Sequence, residues 1–254
     1  MDKIYSQPLT FQEDDASFGF TVGKTGIKIP AYLHTHYWWA YIHPYGIGLF
    51  ERQWLVNLIL WGNYARLRDA ALRELGESLS GATLQVACVY GDLSVSLGRQ
   101  VATGGGILDV VDVLPIQLQN LQQKLAADIP VRLFTMNSTQ LEFPDGSYDR
   151  VLLFFLLHEQ PADVRHRTLR ELIRVVKPGG KIVIVDYARP RWWHPLRYLW
   201  RPVLAALEPF ALDLWREGIC GGLPLFGVSQ RNSRTFFGGL YEMTVLTRQY
   251  PQNS

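Results

Sequence analysis

Five apolar runs separated by helix-like connectors constrain this chain more than any other feature. They are TLQVACV from Thr83, GILDVVDV from Gly106 to Val113, VRLFTM from Val131 to Met136, YDRVLLFFLL from Tyr148 to Leu157, and KIVIVDYA from Lys181 to Ala188. Runs that stay apolar, with no polar alternation, suit parallel strands covered on both faces. Residues Leu114 to Ala127 and Pro161 to Val176 space their apolar side chains as helices do, with Pro161 near a helix start. Strand and helix in alternation predict a doubly wound α/β sheet that binds ligands at the carboxyl ends of its strands. TFFGGLYEMTVLTRQY is expected to close the sheet edge with one or two strands around Gly238-Gly239.

The 254 residues can bury one sizeable core, with room for extensions to one large domain. Residues 1 to about 30 have weak periodicity and read as a loosely ordered arm. Residues 31–79 turn aromatic, with amphipathic spacing and a break at Gly62-Asn63. The organisation is therefore an N-terminal arm and helical cap over 1–80, then the α/β domain over 81–254. Within that domain, residues 189–227 form an insertion dense in Trp, Arg and Pro. A net charge of +2 and a pI near 8.5 are too mild to argue for nucleic acid. Cys88 and Cys220 make no disulfide framework, so a reduced compartment is the default. The acidic N-terminus reads as no signal peptide, and no apolar stretch nears the ~20 residues of a spanning helix. A soluble or peripheral protein is expected.

The turn after the first strand carries the chemistry. Leu84 to Ser94 reads LQVACVYGDLS: a strand end, a turn with one glycine, then a helix start. It resembles the loop of class I S-adenosylmethionine (SAM) methyltransferases, L-D-x-G-C-G-x-G-D-L. It keeps Leu84, Cys88, Gly91, Asp92 and Leu93, puts Gln85 in place of the acid, and has Ala87 and Val89 in place of glycines. LEFPDGSYDRV and LRELIRVVKPGGKIVIVDY resemble the fourth-strand entry and the KPGG turn of the quinone-pathway branch. The resemblance implies a class I SAM-methyltransferase-like doubly wound sheet, here with a helical N-terminal cap and an insertion after the fifth strand. YWWAYIHPYGIGLFERQWLVNLILWGNY, the degenerate loop and FFGGLY narrow it to the rhodoquinone-biosynthesis family of the RquA type. That resemblance implies conversion of ubiquinone to rhodoquinone, an amino group replacing a ring methoxy group. It also implies SAM as the amino donor, a divalent metal such as manganese, and a cytoplasmic or mitochondrial inner-membrane surface as the location. The rivals are a conventional methyltransferase of a quinone or phenol, and a non-catalytic scaffold in a quinone-biosynthesis complex.

Candidate site residues follow from position. Asp112 ends the second strand, where the family holds the ribose hydroxyls. Gln85, Ala87, Tyr90 and Gly91 are expected along the cofactor, Gln85 removing a charge that would keep the cofactor's amine protonated. Tyr90 either shapes the pocket or is a buried, hydrogen-bonded tyrosine. Asn137, after the third strand, can read the adenine edge through a donor and an acceptor. Asp92 is an N-cap, a metal ligand or a base. Tyr64, in WGNYARL, is expected in the active site. His158 is either a general base or a structural histidine. His34, His36 and His43 are rejected as a zinc site, because no Cys or carboxylate spacing completes it. Cys88 is expected to be buried and not nucleophilic. Trp192, Trp193, Tyr198, Trp200 and Trp215, interleaved with Arg189, Arg191, Arg197 and Arg201, suit a lipid headgroup region or a cap over the site. The metal ligands are unknown from sequence.

Overall fold

All five apolar runs are strands in the computed structural model, which describes residues 20–22, 30–36, 53–208, 210–221 and 227–250. They are β2 (Ala82–Val86), β3 (Ile107–Asp112), β4 (Val131–Thr135), β5 (Tyr148–Phe154) and β6 (Val176–Tyr187). Neighbours among them pair in parallel, in the order β4-β3-β2-β5-β6. The expected C-terminal strands are β7 (Val228–Phe236) and β8 (Tyr241–Arg248), and β8 lies antiparallel between β6 and β7. The strand order reverses between β2 and β5, where doubly wound sheets open a crevice.

Strand boundaries differ from the sequence reading for local reasons, and β5 ends at Phe154, not Leu157, where Phe155 turns to φ +55°. β2 stops at Val86, not Val89, because Ala87 turns to φ +71° and leaves the extended region. β6 starts five residues earlier than expected and runs through Lys177-Pro178-Gly179-Gly180, and its register against β5 shifts between Tyr148 and Arg150. The N-terminal arm also holds a surprise. Phe20–Val22 forms β1, which pairs in parallel with β4 and makes the sheet eight-stranded. Three residues of that length give almost no periodic signal, so the arm reads as irregular in sequence.

The helices bury regular apolar stripes. α3 (Tyr64–Leu75) turns in Leu67, Ala71 and Leu75, and packs on β6. α4 (Leu93–Gly104) turns in Leu93, Leu97 and Val101, all fully buried, against β3. These are i, i+4, i+8 spacings, one face of a helix. α5 (Pro115–Lys124) packs on β3 and β4, and α6 (Ala162–Val175) packs on β6. α1 (Ala31–His36) and α2 (Gln53–Ile59) form the described part of the N-terminal cap, and Gly62-Asn63 breaks α2 from α3 as read. The insertion supplies α7 (Leu196–Leu207) and α8 (Ala211–Glu217). No helix of the described residues is long and apolar enough to cross a membrane.

One buried charge fixes β3 in the sheet. The Asp109 carboxylate takes two hydrogen bonds from Arg132 of β4, at 2.7 and 2.8 Å, and one from the Tyr148 hydroxyl of β5 at 2.7 Å. With that end anchored, Asp112 emerges three residues later at the carboxyl end of β3, paired with Thr135. Asp109→Ala would leave the buried Tyr148 hydroxyl without its acceptor. Urea unfolding is expected to show a loss of about 2–3 kcal/mol. Arg132→Ala should cost at least as much, because it leaves the buried Asp109 carboxylate without its cationic partner.

Candidate functional site

A cavity of about 470 Å³ opens where the strand order reverses, a size typical of small-molecule sites. Its floor is the carboxyl ends of the strands: residues 86–90, 111–114, 136–138 and 154–156, with Tyr187 from β6. Its roof is apolar and comes from the cap and the insertion, chiefly Leu33 of α1, Val56 and Ile59 of α2, and Trp200 and Leu204 of α7. Val89 and Tyr90, which replace small residues, form part of the wall and leave the space open. The Tyr90 hydroxyl accepts a hydrogen bond from Gln117 at 2.9 Å, so this ring is both pocket-shaping and satisfied.

Two floor residues hold strained backbone. Ala87 (φ +71°) and Phe155 (φ +55°) sit in the left-handed region, which costs a residue with a Cβ about 1–2 kcal/mol. Ala87 has lost the glycine and kept the glycine's conformation. Its N–H donates to Val111 O at 2.8 Å, which clamps the turn to β3. Strain of this kind collects at ligand sites, where the surrounding structure over-determines it.

Asp112 lines the cavity with both carboxylate oxygens oriented by backbone. Oδ2 accepts from Cys88 N–H at 2.7 Å and Oδ1 from Leu114 N–H at 2.8 Å. Burial pushes its pKa up to about 6, and those amides pull in the opposite direction. The Val113 amide and the Cys88 side chain pull the same way, and the carboxylate stands where a vicinal diol in the cavity would meet it. Asn137 also lines the cavity, but its carboxamide oxygen already takes Thr139 N–H and Thr139 hydroxyl, both at 2.9 Å. The acceptor half of the expected two-sided adenine reading is therefore occupied.

The loop residues divide. Ala87 and Tyr90 reach the cavity, whereas Gln85, Gly91 and Asp92 do not line it. Gln85 is fully buried and spends its amide N–H groups on Ala87 O at 2.9 Å and Ser94 Oγ at 2.8 Å. Gln85, expected along the cofactor, turns its side chain under the loop and does not line the cavity. Asp92 faces away, in a bidentate pair with Arg68 Nη1 at 2.6 and 2.8 Å. It stands at the N-cap position of α4 but its side chain makes no cap bond, so neither the cap nor the base reading fits.

Tyr64 does the capping. Its hydroxyl oxygen accepts Asp92 N–H and Leu93 N–H, both at 3.0 Å, and its proton faces Asp92 Oδ1 at 3.2 Å. Burial, with Asp92 nearby, holds that hydroxyl far above its usual range. Tyr64 lines the cavity with a committed hydroxyl, so its geometry serves the loop more than proton transfer. Gly91 explains itself here: φ is +89°, and a Cβ would stand 2.6 Å from the Tyr64 oxygen.

His158 belongs to the cavity and has a partner that sequence reading passed over. Asp186, the penultimate residue of β6, is fully buried, and its Oδ1 lies 2.8 Å from His158 Nδ1. The same carboxylate accepts Leu157 N–H and Tyr187 N–H, both at 2.7 Å. Burial disfavours the charged ring. Asp186 outweighs it, helped by Glu208 and Glu159, and lifts the His158 pKa to about 9. Asp186 thus favours the charged ring at neutral pH, which counts against the general-base reading of His158 and leaves the structural one open. Among the described residues no three His, Cys, Asp or Glu side chains stand together as a metal site needs. Asp92, the carboxylate weighed as a metal ligand, is held by Arg68.

Comparison with known proteins agrees with this geometry. Residues 83–180 match the methyltransferase domain family. Demethylmenaquinone methyltransferase from Bacillus licheniformis is 27% identical over 148 residues, covering 56% of this chain and 62% of that protein. The enzyme of the same name from Staphylococcus aureus strain MRSA252 is 28% identical over 136 residues, 54% of this chain and 55% of its own. The chain thus matches little more than half the length of these relatives. Among solved structures, one described as a possible exported protein from Bordetella parapertussis superposes with TM-score 0.55 at 15% identity, over 72% of this chain and 67% of its own. Geranyl diphosphate C-methyltransferase from Streptomyces coelicolor superposes with TM-score 0.51 at 14% identity, over 73% and 78%. The [4+2]-cyclase SpnF has the same score and identity over 73% and 81%, so the fold hosts more than one reaction.

Two pH effects are expected. SAM affinity, measured by calorimetry, should be highest above pH 6 and fall as Asp112 protonates through about 6. Asp112→Asn should lose affinity by roughly 10–100-fold together with that pH dependence, as charge-assisted hydrogen bonds are lost. His158 has a folded pKa above its unfolded value near 6.5, so its contribution to stability is full below 6.5 and lost as pH rises through about 9. Thermal melts across that window should show the decline in wild type, and Asp186→Asn should abolish it.

Proposed function

We propose that this chain, built on the class I SAM-methyltransferase-like fold, binds SAM and moves its amino nitrogen to a quinone ring. The product is the aminoquinone of the rhodoquinone type, made from ubiquinone by loss of a ring methoxy group. One observation carries the reading: the loop from Val86 to Leu93 turns no carboxylate into the cavity. Gln85 is neutral and buried, and Asp92 is held by Arg68. A cofactor amine bound along this loop meets no anion from it to stabilise its ammonium form, and the neutral amine is the nucleophile.

The residues of the floor support cofactor binding. Asp112 would accept the ribose hydroxyls with oxygens already aimed by Cys88 and Leu114. Ala87 shapes the turn, and Tyr90 narrows the space beside it. When bound, SAM supplies the nitrogen and a sulfonium charge. Attack on the methoxy-bearing ring carbon would send negative charge to a ring carbonyl oxygen and release methanol. Freeing the amino group would then need the nitrogen's bond to the donor's α-carbon cut, with the quinone ring accepting two electrons from that carbon and water hydrolysing the imine. His158, protonated and held by Asp186, is the donor in the cavity suited to the ring carbonyl oxygen. The apolar roof excludes water, which strengthens that interaction.

A specific observation favours a second reading. The curated relatives are demethylmenaquinone methyltransferases, so methyl transfer to a quinone or phenol would use the same pocket. A third reading, a non-catalytic scaffold, predicts no thermal shift with SAM, where ligand at 100 times its Kd stabilises by about 2.7 kcal/mol. Mass spectrometry of the quinones from cells expressing the chain separates the first two. Amination is expected to give a product with nitrogen in place of the methoxy group, labelled when SAM carries 15N. His158→Gln should lower its formation by roughly 100-fold or more while leaving SAM binding intact. A product carrying an added methyl group and no nitrogen would replace the amination reading with the second.

A further inference from the structure

The exposed apolar surface of this molecule is concentrated in one place. Ten large hydrophobic residues are exposed among the described ones, and eight belong to α2, α7 or the residues adjoining them. On the α2 side these are Trp54, Leu58 and Trp61. On the α7 side, Trp192 and Leu199 are 74% and 67% exposed, and Trp193, Tyr198 and Leu207 complete the set. Pro202, Ala205 and Ala206 are exposed too, so the outer face of α7 carries apolar side chains along its whole length.

The inner faces of the same helices roof the cavity. Val56 and Ile59 look inward from α2, Trp200, Val203 and Leu204 from α7. The rings of Trp61 and Trp200 meet edge-on at 5.2 Å and join the two helices into one wall. A helix that is apolar on both sides is out of place at a water boundary. The charge around it has one sign. From Arg189 to Leu207 there are four arginines and no acidic residue. Arg189, Arg191 and Arg201 are exposed beside the tryptophans. Trp215, read in sequence as part of this aromatic set, is instead buried, and Trp200 is half-buried in the wall. The outward group is therefore smaller than the sequence suggests, and confined to one face.

We infer that the outer faces of α2 and α7, with the turn from Arg189 to Trp193, dock on an anionic phospholipid bilayer and open the cavity towards it. Tryptophan and tyrosine rings settle at the headgroup level, and the arginines meet lipid phosphates. A second protein would satisfy the apolar area equally. Four arginines with no acid between Arg189 and Leu207, beside helices whose inner faces roof the cavity, favour the bilayer. The docking stands on these exposures and charges alone; only the identity of the lipid that enters rests on the quinone reading.

Flotation of the full chain with vesicles tests it. Vesicles of phosphatidylcholine with phosphatidylglycerol should carry the protein, pure phosphatidylcholine much less, and high salt should weaken binding. A Trp192→Asp/Leu199→Asp variant touches no residue of the cavity. It should bind anionic vesicles roughly tenfold less or weaker still, with its SAM thermal shift unchanged. Absence of wild-type flotation would overturn the docking, as would equal flotation of the variant at an unchanged thermal shift. A concentration-dependent dimer that the variant dissolves, with no vesicle binding, would assign the face to a second copy. Activity on a water-soluble short-tailed quinone separates the two proposals: the variant should retain it, and should lose turnover only of long-tailed quinone in vesicles.

Discussion

Parallel pairing is the constraint on which everything else here depends. Strands β2 to β6 run in one direction, so each delivers its last residue to the same edge of the sheet. Asp112 arrives there from β3 and Asp186 from β6, on either side of the point where the strand order reverses. A polar group at that edge is buried by the roof, and it must be satisfied locally or cost several kcal/mol. Both aspartates solve this with backbone N–H groups from the loop next to them. The same bonds that make burial tolerable also fix where the carboxylates point.

The fold was largely legible because its signal is long-range and repeated. Five apolar runs at βα spacing determine the sheet, and the GG pair before LYEMTVLT locates the last hairpin. What escaped was short or directional. β1 has three residues, too few for a periodic pattern to announce it. The site was legible in position and less so in orientation. Asp112 lines the cavity, whereas Gln85 and Asp92 sit at matching positions and turn elsewhere, because Ser94, Ala87 O and Arg68 offer partners that a linear motif does not contain. Asp186 could have been found. IVIVDY ends an apolar run on an acid, as ILDVVD does, and the argument that selected Asp112 applies equally to it.

The pairing of His158 with Asp186 changes the character of the pocket. The acidic Asp112, Glu159 and Glu208 also line the cavity, and His158 is the one basic side chain among its described lining residues. Positive charge placed there by neighbouring carboxylates favours reactions in which an oxygen gains electrons. That bias is independent of which group the cofactor contributes.

The two sheet edges are finished in different ways. On one side β1 pairs with β4 and shields its backbone. On the other, β7 is the outermost strand, and it carries the exposed Arg231 and Arg234. A short covering strand and a charged rim both deter a neighbouring copy from extending the sheet. Crowding two-dimensionally on a surface therefore need not seed fibrils: copies can lie side by side at high local density while their ladders stay closed to one another.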